Sequence, residues 1–123
     1  MAENKTILLV DDEPDIRLTV GRRLKAKGYN VIEAENGKDA LEKINERIPD
    51  LVILDIMMPE LNGFQVCRKL MEKEETKKIA VLMLTAKGQA ADRFWAEELG
   101  VTEYITKPFD DEELMEAVKK LLA

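Results

Sequence analysis

Leu51-Val52-Ile53-Leu54-Asp55-Ile56-Met57-Met58-Pro59 is the stretch that decides the fold. Its four leading residues are apolar without alternation, a single aspartate follows, and a proline closes the segment. A strand that is apolar on both faces belongs in a parallel sheet with helices on either side. Two further runs share this character, Ile7-Leu8-Leu9-Val10 and Ile79-Ala80-Val81-Leu82-Met83-Leu84. Val31-Ile32 and Tyr104-Ile105 are shorter and flanked by polar residues, as expected of sheet edges.

Helical patterns fill the intervals: Pro14–Lys27, Lys38–Arg47, Phe64–Glu72, Gln89–Leu99 and Asp111–Leu122. Pro14 suits a first helical position, Asp110 suits an N-cap, and Gly28 and Gly100 suit stops. Five β/α units with right-handed crossovers follow. The expected fold is therefore α/β: a (βα)5 flavodoxin-like three-layer sandwich, with a five-stranded parallel sheet in the order 2-1-3-4-5. Residues 1–123 form one domain.

Composition narrows the function classes. A 46% hydrophobic, 36% charged chain has enough apolar content for a core, which argues against disorder. A net charge of −6 disfavours a general nucleic-acid binder. The longest apolar run, Ile79–Leu84, is far short of the about 18–20 residues needed to span a bilayer. The N-terminus lacks the basic region of a secretory signal, so the expected location is cytoplasmic. Cys67 is the single cysteine, which excludes an intrachain disulfide; helical spacing makes it a core residue of the third helix. With no histidine at all, Ser-His-Asp and Cys-His catalysis and imidazole-based zinc sites are excluded.

Ligands of doubly wound sheets gather beyond the carboxyl ends of the strands, near the switch between strands 1 and 3. There the sequence offers Asp11-Asp12-Glu13 after strand 1 and Asp55 after strand 3. Thr85-Ala86 follows strand 4, and Thr106-Lys107-Pro108 follows strand 5. Three acids after strand 1 would repel a phosphate that a glycine-rich loop would cradle. Like charges within about 4–6 Å disfavour one another's ionised form, and a hard divalent ion such as Mg²⁺ resolves that conflict with oxygen ligands. Phosphoryl chemistry fits the set. Asp55 is the candidate nucleophile, Asp11 and Asp12 hold Mg²⁺ directly or through water, and Lys107 and Thr85 clamp the phosphoryl oxygens.

Taken in order, several motifs resemble the receiver domain of two-component response regulators. They are Val10-Asp11-Asp12-Glu13-Pro14, Leu51–Pro59, Asn62-Gly63, Leu84-Thr85-Ala86, Gly100 and Tyr104-Ile105-Thr106-Lys107-Pro108-Phe109. The resemblance spans the whole chain. It implies phosphotransfer from the phosphohistidine of a sensor histidine kinase to Asp55. It implies Mg²⁺ on Asp12, Asp55 and the backbone carbonyl of Met57, with Asp11 acting mainly through water. It also implies a cis peptide between Lys107 and Pro108, and a switch in which Tyr104 turns inward as Thr85 moves. Met57 and Lys87 fall at the two positions that tune self-dephosphorylation in this family.

Such a protein is a signalling switch that catalyses only its own phosphorylation and dephosphorylation. Two other classes compete with that reading. A haloacid-dehalogenase-like phosphohydrolase would carry Asp-x-Asp after the first strand, where this chain has adjacent Asp11-Asp12 and no inserted cap. A phosphorylation-independent binding module would lack some site positions, and here none is missing. Trp95 adjoins Phe94 on the fourth helical pattern, and one of the two must turn from the core. The face formed by that helix, the fifth strand and the last helix, including Trp95, is thus a candidate contact for a downstream protein. The last helix lacks the arginine that pairs across the dimer face in the winged-helix branch of the family. The chain stops at Lys119-Lys120-Leu121-Leu122-Ala123, so a stand-alone receiver acting through protein contacts is expected, without direct DNA binding.

Overall fold

A computed structural model describes residues 5–86 and 100–123, with the side chains of Thr85 and Ala86 outside that description. Its elements run β1 Thr6–Val10, α1 Pro14–Ala26, β2 Asn30–Ala34, α2 Gly37–Glu46, β3 Leu51–Asp55, α3 Gly63–Met71, β4 Ala80–Ala86 and β5 Glu103–Lys107, ending in a C-terminal helix, Asp111–Leu121. All strands pair in parallel in the order β2-β1-β3-β4-β5, as the apolar runs predict. The helical pattern at Gln89–Leu99 lies outside the described residues.

The uninterrupted apolar strands make sense once the two faces are separated. Leu8, Val10, Val52, Leu54, Val81 and Met83 pack with Ala40 and Ile44 of α2 and Val66, Cys67 and Leu70 of α3. Their neighbours in sequence, Ile7, Leu9, Leu51, Ile53, Leu82 and Leu84, pack with Val20 and Leu24 of α1 and Leu114 and Val118 of the C-terminal helix. Because side chains alternate across a strand, a sheet covered on both faces needs apolar residues at every position. Truncating a leucine in either core costs about 2–5 kcal/mol, since a packed interior only partly closes the cavity left behind. Cys67 sits in this core, as its helical spacing predicts.

The edge strands reach further than their apolar centres. β2 covers Asn30–Ala34 and β5 covers Glu103–Lys107, whereas the apolar residues alone suggest Val31-Ile32 and Tyr104-Ile105. Backbone pairing to a central neighbour carries the polar flanks into the sheet. At β5 this extension matters, because it brings Lys107 level with the end of β4.

Helix starts fix the loops around the carboxyl ends. Pro14 occupies the first turn of α1, and Asp110 caps the C-terminal helix by accepting the Glu113 N–H at 2.7 Å. At α3 the cap is reciprocal: Asn62 accepts from the Gln65 N–H at 3.0 Å, and the Gln65 side chain accepts from the Asn62 N–H at 2.8 Å. Gly63 follows for a steric reason. A Cβ there would lie 2.7 Å from the Asp55 carbonyl oxygen and 2.9 Å from Ile56 Cα, closer than packed atoms tolerate. Glycine lets the start of α3 press against the end of β3, where the Gly63 N–H donates to the Ile56 carbonyl at 3.1 Å. The segment that carries Asp55 is thereby held between β4 and the first turn of α3.

Candidate phosphoacceptor and metal site

The carboxyl ends of β1, β3 and β5 converge on one pocket. Asp11 is fully buried and Asp55 is 4% exposed, while Asp12 stands at the surface. One carboxylate oxygen from each of these three residues lies within 4.8 Å of the others. Lys107, from the end of β5, reaches into the group. Its Nζ is 3.1 Å from Asp11 Oδ2, 3.5 Å from Asp55 Oδ2 and 3.8 Å from Glu13 Oε1.

Local backbone geometry holds the acids in place. Asp11 Oδ1 accepts the Glu13 N–H at 2.9 Å, and Asp55 Oδ1 accepts the Met57 N–H at 3.2 Å. Each acid thus uses one oxygen to tie down its own loop and turns the other toward Lys107. The Lys107–Pro108 peptide is cis, as the family resemblance implies. Met57 itself is 59% exposed.

Among the described residues the pocket is short of positive charge. Burial pushes the Asp55 carboxyl up, Asp11 adds to that, Lys107 and the Met57 N–H act against it, and Asp12 adds a little more; the result is a pKa of about 6. For Lys107 burial alone would lower the pKa, but Asp11, Asp55 and Glu13 outweigh it and hold the ammonium above its ordinary value. Among the described residues, Lys107 is the cation that faces the carboxylates of Asp11, Asp12 and Asp55, and with it alone the group remains negative and made of hard oxygen donors. That donor set fits Mg²⁺, which takes carboxylate and carbonyl oxygens and suits neither thiolate nor imidazole sites.

The remaining residues singled out by sequence are distributed unevenly. Leu84 of β4 pairs with Asp55, which places the backbone of Thr85 one step beyond it, opposite Thr106; its side chain lies outside the described residues. Lys87 and Trp95 also lie outside them. Tyr104 pairs with Met83 and is half-buried against the core shared with α2 and α3. Sequence reasoning missed Arg17, whose guanidinium donates to the Asp11 carbonyl at 2.6 Å. Its signal was positional: the Arg17 N–H bonds to the Glu13 carbonyl, so residue 17 sits one helical turn past the acidic loop.

Among the described residues, a doubly wound parallel sheet thus brings an acid cluster and a lysine together at its β1/β3 switch point. Comparison with known proteins places this arrangement in a family. Residues 7–119 match the family model described as "Response regulator receiver domain". The chain is 40% identical over 117 residues to protein PilH of Pseudomonas aeruginosa, covering 95% of this chain and 97% of that one. It is 42% identical to the alkaline phosphatase synthesis transcriptional regulatory protein PhoP of Bacillus subtilis, covering 97% of this chain and 49% of the relative. It therefore spans nearly all of one relative and about half of the other. In three dimensions it resembles the chemotaxis protein CheY4 of Vibrio cholerae with a TM-score of 0.90 at 30% identity, covering 96% and 98% of the two chains. The chain belongs to the response regulator receiver family of two-component systems.

The raised pKa of Asp55 has a consequence for stability. The folded carboxyl binds its proton more tightly than the unfolded one, whose ordinary value is 3.8. As pH rises from about 4 to about 6 the unfolded chain releases this proton first, and the native state loses stability. The shift from 3.8 to about 6 corresponds to roughly 3 kcal/mol, fully expressed above pH 6 and absent below pH 4. In metal-free buffer Asp55→Asn is thus expected to unfold at higher urea than the parent at pH 7.5, with the two converging near pH 4. An Asn variant no more stable at pH 7.5 would contradict the charge account of the pocket.

Proposed function

We propose that this chain is a phosphorylation-dependent signalling switch in which Asp55 accepts a phosphoryl group from the phosphohistidine of a sensor histidine kinase. The observation that carries the proposal is the convergence of Asp11, Asp12 and Asp55 within 4.8 Å, with Lys107 3.5 Å from Asp55. Asp12, Asp55 and the Met57 carbonyl would hold Mg²⁺, with Asp11 acting through water. When bound, the ion supplies positive charge against the phosphoryl oxygens.

The residues of the chain do the rest. A carboxylate oxygen of Asp55 attacks phosphorus, the P–N bond to the donor imidazole breaks, and the imidazole leaves with that electron pair. Lys107, already raised in pKa and fully charged at neutral pH, stabilises the charge carried by the phosphoryl oxygens. Thr85 is assigned a hydroxyl contact to the same oxygens. The added charge and acceptor oxygens then shift the balance between two conformations, with Thr85 and Tyr104 coupling the pocket to the β5 edge. The output is contact with a downstream protein in the cytoplasm, through the face of the last strand and last helix, with Trp95 as a candidate contact. The chain acts on its own phosphorylation state and turns over no separate substrate.

Intact-mass measurement tests the assignment. With acetyl phosphate and Mg²⁺ the parent is expected to gain one phosphoryl group and Asp55→Asn none; stoichiometric labelling of that variant would falsify the assignment.

The lifetime of the phosphorylated form depends on access of water in line with the leaving carboxylate oxygen. Met57 offers a flexible thioether that can cover the phosphoryl group but cannot orient water by strong hydrogen bonds. Lys87, when protonated, cannot accept a proton from the attacking water. A slowly decaying phospho-form follows, reset by its kinase or a phosphatase. With Mg²⁺ present, the Met57→Asn, Lys87→Glu double variant is expected to lose its phosphoryl group faster than the parent. Equal or slower decay contradicts the argument from water access.

A further inference from the structure

Arg17 has no part in the chemistry above, yet among the described residues it is the cation bonded to the backbone of the acidic loop. Its side chain is only 16% exposed although it lies on the first turns of α1. Its Nη1 donates to the Asp11 carbonyl at 2.6 Å, a short charge-assisted bond. Its Nε lies 3.5 Å from Glu33 Oε1, on β2. Guanidinium geometry allows both contacts at once, because the fork is planar and rigid. Arg17 therefore ties α1 to the end of β1 and to β2 through one group.

The neighbouring contacts show what this tie can control. The Asp11 N–H donates to the Ala34 carbonyl at 3.2 Å, and the Asp11 carboxylate is held by the Glu13 N–H and Lys107. The carbonyl is the remaining polar group of residue 11, and Arg17 takes it. That carbonyl belongs to the peptide leading into Asp12. Among the described residues the Asp12 side chain has no hydrogen bond or ion pair, and it is exposed, so its placement depends on the backbone that carries it.

We propose that Arg17 is a positioning residue for the acid pocket: by fixing the Asp11–Asp12 peptide, it holds the Asp12 carboxylate where the pocket takes a divalent cation. This rests on the reading of the pocket as a Mg²⁺ site. Glu33 orients the guanidinium. At 40% exposure its ion pair is worth little on its own, and its contribution is to direct the fork.

The sign of the effect separates this role from simple electrostatics. Removing a positive charge near an acidic site tightens cation binding by Coulomb's law, whereas releasing a positioned ligand weakens it. Calorimetric titration with Mg²⁺ is to be run on the parent, Arg17→Met, Asp12→Asn and the double variant, with urea unfolding of each. Arg17→Met is expected to weaken Mg²⁺ binding by about tenfold, the low end for an outer-shell partner. In the Asp12→Asn background the same change is expected to have little further effect on Mg²⁺ affinity, while its cost in urea unfolding persists. Arg17→Lys keeps the charge but loses the fork, so its weaker Mg²⁺ binding reads geometry alone and covers the case in which Arg17→Met fails to fold. Unchanged or tighter binding by Arg17→Met, an equal loss in both backgrounds, or parent-like binding by Arg17→Lys overturns the inference. Absence of saturable Mg²⁺ binding in the parent overturns the metal reading itself, and is seen before any variant is compared.

Discussion

The ammonium of Lys107 among the carboxylates of Asp11, Asp55 and Glu13 is the contact on which this site depends. Two of those acids are buried, and buried charge is tolerated only when paired or coordinated. Lys107 pairs them incompletely. It keeps β5 joined to the ends of β1 and β3 while leaving Asp55 with a carboxyl that resists ionisation. On the proposed reading, a pocket balanced in this way responds to added cation and added phosphoryl charge, which a fully neutralised one would not.

The rest of the fold serves to hold those few oxygens in place. Two apolar cores, one on each face of the sheet, give the strands no freedom to slide, because a one-residue slip would reverse which side chains meet which helices. Gly63 admits α3 against the Asp55 segment, and the Asn62–Gln65 capping pair fixes where that helix starts. Arg17 performs a comparable task on the other side of the pocket, at the Asp11 carbonyl. The acids are therefore set by backbone that is itself braced on both flanks.

How much of this was legible in the sequence follows from what each signal encodes. Unbroken apolar runs report burial on both faces, and so Leu51–Leu54 was enough for a parallel sheet; the strand order followed from the size of the chain. The polar ends of β2 and β5 were not legible, since Asn30, Glu103 and Lys107 enter the sheet through backbone pairing that side-chain pattern does not record. At the site, chain position beyond a strand end predicted that Asp11, Asp12, Asp55 and Lys107 would meet, and they do. Arg17 escaped notice because its partner is a carbonyl, a group every residue carries and no sequence displays. The capping role of Gln65 escaped for the same reason, as it answers a backbone N–H.

The central claim is that Asp55 sits in a pocket with an unmet demand for positive charge. Its most direct test is the titration of the Asp55 side-chain carboxyl, followed by carbon NMR in metal-free buffer and again with saturating Mg²⁺. The account predicts a pKa of about 6 without metal, falling once Mg²⁺ is present. A carboxyl that titrates at the ordinary aspartate value of 3.8 in both conditions would contradict it.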